Sequence, residues 1–63
     1  MTTRTIYVPC SQIGRYILNC IVERVGCSIG DIRKVTDVLA VPITLNQRDI
    51  VKVERILQTF DLA

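Results

Sequence analysis

The stretch at residues 44–60, TLNQRDIVKVERILQTF, constrains the fold of this chain more than any other. At about 100° per residue, Ile50, Val53, Leu57 and Phe60 fall on one face, with Ile56 at its edge. Arg48, Lys52, Arg55 and Thr59 fall in a narrow arc opposite. The pattern predicts an amphipathic helix over about 46–60 with an apolar back and a basic front. Its start carries two capping-box spacings, Thr44 with Gln47 and Asn46 with Asp49. Such a front can lie against phosphates. It is also the ordinary composition of a solvated helix face, so the pattern alone leaves both readings open.

The rest of the chain must supply the surface that covers the apolar back. With 63 residues it forms one domain, spanning 1–63, and buries only about 60% of its unfolded surface. A second copy or a bound partner would relieve that shortage. Composition points the same way, because 49% of the residues are hydrophobic and seventeen are Val or Ile against two Ala. Branched residues are mediocre helix formers, so helices built from them depend on packing. A homodimer is expected on these grounds.

Taken in order, residues 3–8 alternate, with Arg4, Ile6 and Val8 on one side and Thr3, Thr5 and Tyr7 on the other. Closed by Pro9, they read as a strand. A lone strand needs a partner, and the candidates are residues 41–45 or the same strand of a second copy. Ser11 opens a helix over about 11–25, with Ile13, Tyr16, Ile17, Cys20, Ile21 and Val25 as its apolar stripe and Gly26 as its C-cap. Ser28, with Asp31 at capping-box spacing, opens a second helix over about 28–40, striped by Ile29, Ile32, Val35 and Leu39 and ended by Pro42. The expected fold is therefore mainly α: a short N-terminal strand and three helices in a helix-turn-helix-like bundle. The link between the last two helices lacks the glycine often found in that turn.

Catalytic and metal chemistry are not expected. The chain has no histidine to act as a base near neutral pH, its three cysteines include no C-x-x-C pair, and its three glycines are too far apart for a phosphate loop. No cofactor is implied. The odd cysteine count argues against a secreted disulfide framework, and no apolar segment follows the N-terminal charge as in a secretory leader. No run approaches the ~20 apolar residues of a membrane span. A cytoplasmic protein without membrane contact is the expectation.

Binding remains. Arg48, Lys52 and Arg55 on the last helix, extended by Arg33 and Lys34 on the one before it, would meet phosphates, and an arginine reaching a groove could read guanine. Asn46 and Gln47, like Thr44, would add contacts at a helix N-terminus, where capping is their ordinary role. Val51, Ile56 and Val38 flank the core stripes and, with Ile6 and Val8 of the strand, are candidates for a protein interface.

Two families share parts of this pattern. Cys27-Ser-Ile-Gly-Asp-Ile32, Val38-Leu-Ala-Val-Pro42, Asn46-Gln-Arg-Asp49 and Val53-Glu-Arg-Ile-Leu57 resemble the helical C-terminal tail of virulence-associated E proteins, a phage primase-helicase-like group. There such a segment follows an ATPase core. This chain has no Walker motif, so the resemblance implies a mobile-element origin and a replication-linked binding module rather than an ATPase. The order strand, Pro9, helix, Gly26, then Ser28-Ile-Gly-Asp-Ile32 resembles ribbon-helix-helix repressors, with a third helix as a departure. That resemblance implies dimerisation through the strands and DNA contacts from Thr3, Thr5 and Tyr7, or from Arg4 in the other register. The leading expectation is a small phage-like DNA-binding protein acting in regulation or replication by binding alone. The alternative is a protein-binding inhibitor of a host enzyme or defence complex.

Overall fold

In a computed structural model that describes residues 1–62, the chain is a two-layer α/β domain. Strand β1 (Thr2–Pro9) leads into helix α1 (Gln12–Val25). Two short strands follow, β2 (Ser28–Ile29) and β3 (Arg33–Val35), then the long strand β4 (Val38–Leu45). A 3-10 turn over Gln47–Asp49 opens helix α2 (Ile50–Thr59). The mainly α expectation is thus overturned. Among the described residues there are two helices and a four-stranded antiparallel sheet. The predicted helix over 28–40 does not exist, and no helix-turn-helix unit forms without it. The strand at 3–8 and the helices at 11–25 and 46–60 stand close to their predicted bounds.

Strand β4 is the centre of the sheet. On one side it pairs with the whole of β1, from Thr2 opposite Leu45 to Pro9 opposite Val38. The chain therefore meets the need of its N-terminal strand with its own 41–45 stretch. On the other side β4 pairs with β2 (Ser28 opposite Thr44) and with β3 (Val35 opposite Val38).

Pro42 explains why that second flank is split in two. A residue in an antiparallel ladder turns its N–H and C=O to the same side. The Pro42 carbonyl accepts a 2.8 Å bond from the Gly30 N–H, so Pro42 faces the β2–β3 flank, where its nitrogen has no hydrogen to give. The ladder lapses there, and residues 30–32 loop out between β2 and β3. The crossing is close at Gly30, where a Cβ would sit 3.1 Å from the Pro42 ring and the ring would have to give by a few tenths of an ångström.

Strand alternation sends Ile6 and Val8 of β1, and Val41, Ile43 and Leu45 of β4, to the helix side. They form one core with Ile17, Leu18 and Ile21 of α1 and Val53, Ile56 and Leu57 of α2. Val8, Ile17, Ile21, Val41 and Ile43 are sealed from solvent, each contributing about 1.5–3 kcal/mol by burial. Cys27 joins them, and burial pushes its thiol above the ordinary value against a weaker opposing hydrogen bond from its own backbone. It therefore stays protonated and packs as a small hydrophobe.

Helix α1 is rotated from its predicted orientation. Gly14 belongs to its buried face, and Ile13 and Tyr16 do not. The reason is the tight corner out of β1. A methyl group on residue 14 would run into the Pro9 carbonyl oxygen, so only glycine lets the helix turn this face to the strand end. Gly26 closes the helix at φ 75°, a left-handed conformation suited to glycine, and donates its N–H to the Val22 carbonyl at 2.9 Å.

The opposite face of the sheet has no covering layer among the described residues. Thr3, Thr5 and Tyr7 of β1 lie there beside Val38, Ala40, Pro42 and Thr44 of β4, with Arg33 and Val35 of β3 at the margin. Thr3 and Thr44 join their hydroxyls across the strands at 3.2 Å.

Candidate nucleic-acid interface

The predicted basic residues divide between the two faces of the domain. Lys52 and Arg55 project from the exposed side of α2, and Arg48 from the 3-10 turn before it. Lys52 is partly engaged, its Nζ 3.5 Å from Asp49 Oδ1, a half-exposed pair worth a few tenths of a kcal/mol. Asn46 and Gln47 are exposed at the start of that turn, and neither Asn46 nor Asp49 makes a side-chain cap bond. Thr44 lies in β4 rather than at a helix start.

Arg33 and Lys34 are not on a helix. They belong to β3, which borders β4 on the flank away from β1. Arg33 stands on the uncovered face, where it lines a hollow with Thr5, Asp31, Ala40 and Pro42. It does not extend the patch on α2, as the extra helix would have required.

The predicted protein-interface residues also separate. Ile6, Val8 and Ile56 are core residues, at 7%, 0% and 9% exposure, and are closed to a partner. Ile56 lies at the edge of its helical stripe and Ile6 and Val8 on one side of a strand, and spacing alone does not show which side the other layer covers. Val51 is exposed on α2, and Val38 is half-buried on the uncovered sheet face.

The structure builds one basic site that the sequence reading missed. Helices α1 and α2 run antiparallel, and near the start of α1 the Tyr16 ring meets Phe60, at the end of α2, edge to face at 6.1 Å. Beside that pair a cleft of about 280 Å³ opens between the helices. Tyr16, Cys20 and Arg24 line it from α1, and Arg55, Ile56, Thr59 and Phe60 from α2. Two arginines thus line one cleft, and among the described residues no carboxylate lines it. Among the described residues the only ion pair is Lys52–Asp49, and neither arginine has an acidic partner among them. Thr59 donates its hydroxyl hydrogen to the Arg55 carbonyl at 3.0 Å.

A signal for this cleft exists in the sequence. Tyr16, Cys20 and Arg24 recur every fourth residue, as do Arg55 and Thr59, which puts each set on one helix face. Tyr16 and Cys20 belong to the apolar stripe expected of this helix, and following that row one more turn ends on a cation. The lining combines two arginines, two aromatic rings and the apolar Ile56 and Cys20, a chemistry suited to an anionic group attached to a flat ring or sugar. No nucleophile–base pair lies in it.

No family model matches this chain, and no curated protein or solved structure matches it. No helix among the described residues is long and apolar enough to cross a membrane.

Proposed function

We propose that the protein binds nucleic acid, DNA first, through its helical layer, with a backbone phosphate received between Arg24 and Arg55 and with Lys52 and Arg48 extending the contact along α2. One observation carries the reading: two arginines line one interhelical cleft, and among the described residues no carboxylate lines it or pairs with either. One phosphate can accept from both arginines at once, and arginine suits phosphate by its forked donors. The protein then acts by binding alone, in regulation or replication, and its free cysteines suit a reducing cytoplasm.

The test is fluorescence anisotropy with a random duplex of about 25 base pairs, titrated at low and at physiological salt. The expected result is binding that weakens steeply with salt. Arg24→Ala with Arg55→Ala, both at exposed positions, should lower affinity about tenfold or more and reduce the salt slope by about two. Absence of binding at low salt overturns the reading.

A second reading rests on the uncovered sheet face, where Tyr7 is 57% and Val35 48% exposed beside Val38, Ala40 and Pro42. Flat, apolar and nearly neutral, it suits a protein partner, as an inhibitor of a host enzyme or complex would require. Val35→Asp should abolish that function and leave duplex binding unchanged. The arginine pair should do the reverse.

A further inference from the structure

Strand β1 has two edges, and β4 occupies one. The orientation of Pro42 fixes what the other edge offers. Because Pro42 turns its main-chain groups toward β2 and β3, Thr5, opposite it on β1, forms a non-hydrogen-bonded pair with it. The N–H and C=O of Thr5 therefore point away from β4. The Cys10 N–H, which donates to the Asp37 carbonyl at 3.1 Å, agrees with this alternation, since even-numbered residues turn toward β4. Thr3, Thr5 and Tyr7 thus present their donors and acceptors along a free edge, and no strand among the described residues pairs with it. An open edge of this length is a template for another strand.

We infer that this edge pairs with the same edge of a second copy of the chain, antiparallel and centred on Thr5. Opposed residues in such a pair lie on the same face, so β1 can meet its copy only in registers two residues apart. Centring on Arg4 sets two guanidinium groups against each other. Centring on Ile6 opposes Thr3 to Pro9, which has no N–H and whose carbonyl is already taken by Ser11 at 2.9 Å. Centring on Thr5 opposes Thr3 to Tyr7 and Thr5 to itself, and every free donor and acceptor of the edge finds a partner.

The side chains agree with this register. A groove of about 160 Å³ lies between the free edge and α2, with Ile6, Ile50, Val53 and Leu57 in its lining and Arg4 and Glu54 as its two charges. Arg4 and Glu54 make no ion pair with each other. The two-fold axis opposes Arg4 to the second copy's Ile6, beneath the second copy's α2, and brings it toward the second copy's Glu54. The contact is made twice. Val51, 54% exposed, lies on the flank of α2 that Glu54 shares, so the pairing also covers it. Both helical layers stay on the same side of the joined sheet.

Sedimentation velocity on the full chain, up to about 100 μM, tests the proposal. The expected species is twice the 7.1 kDa chain mass. Thr5→Pro removes an edge N–H without taking a bond from the β1–β4 ladder, and should give a monomer. Arg4→Glu should weaken the dimer about tenfold or more, and Arg4→Glu with Glu54→Arg should restore it. That charge-reversal series keeps the proposal testable should the proline variant fail to fold. A wild-type monomer throughout this range overturns the proposal, as does a dimer that Arg4→Glu leaves unchanged. Duplex binding is read separately through Arg24 and Arg55, so either proposal can fail alone.

Discussion

The two flanks of β4 differ in what holds them. Toward β1 the ladder is unbroken over eight residues, and the inward side chains Ile6 and Val8 are sealed beneath the helices. Toward β2 and β3 the ladder is two short pieces, and every residue of both strands is exposed. The first flank is held by burial and hydrogen bonding together, the second by main-chain bonds and a turn. Loss of a side chain should therefore be felt on one flank and scarcely on the other, and local opening should begin at β2 and β3.

The largest effect is expected on the strong flank, at the corner between β1 and α1. Gly14→Ala sets a methyl group against the Pro9 carbonyl and should cost about 3 kcal/mol or more. That is comparable with the whole stability of a domain this size, roughly 3–9 kcal/mol. Loss of the folded far-ultraviolet dichroism at 25 °C would show it, and an unchanged melt would mean that the helix can enter at another angle.

The comparison itself is sharpened by one truncation on each flank. Val8→Ala should cost about 2–3 kcal/mol in urea unfolding, because the site is closed and a cavity remains. Val35→Ala should cost less than about 0.5 kcal/mol. Equal costs would break the distinction between a packed flank and a main-chain flank. Hydrogen exchange should agree, with the amides of Ile6 and Val8 protected longer than that of Arg33, which pairs with Ala40 on the other flank.

A smaller change tests the turn that fastens β3. Thr36, the first residue of the two-residue link between Val35 and Val38, has φ 56°, a left-handed conformation uncommon for a β-branched residue. Thr36→Asn relieves it and should stabilise by about 0.5–1 kcal/mol, read as a higher urea midpoint at constant slope.

Both helices and β1 were legible because their signals are local. Ile17, Ile21, Val53 and Leu57 recur at helical spacing, and residues 3–8 alternate, whatever packs against them. In 28–40 the same rule misled. Ile29, Ile32 and Val35 imitate a helical stripe, yet each is more than a third exposed. The segment is shaped by bonds to β4, which leave no hydrophobic period to read. The basic site was half legible, since Arg55 stood on a clear helix face while Arg24 was seen only when α1 took its rotation.

By itself the sequence determined two amphipathic helices, a leading strand, a glycine helix stop at Gly26 and a chain without histidine chemistry. Each of these follows from residue type and spacing along one segment. Tertiary structure alone decided that residues 28–29 and 33–35 form strands, that Arg33 and Arg55 stand on opposite faces, and that one edge of β1 remains open. These depend on which distant residues meet, above all Pro42 opposite Thr5. A strand pair forms between segments far apart in the chain, so neither segment alone carries it.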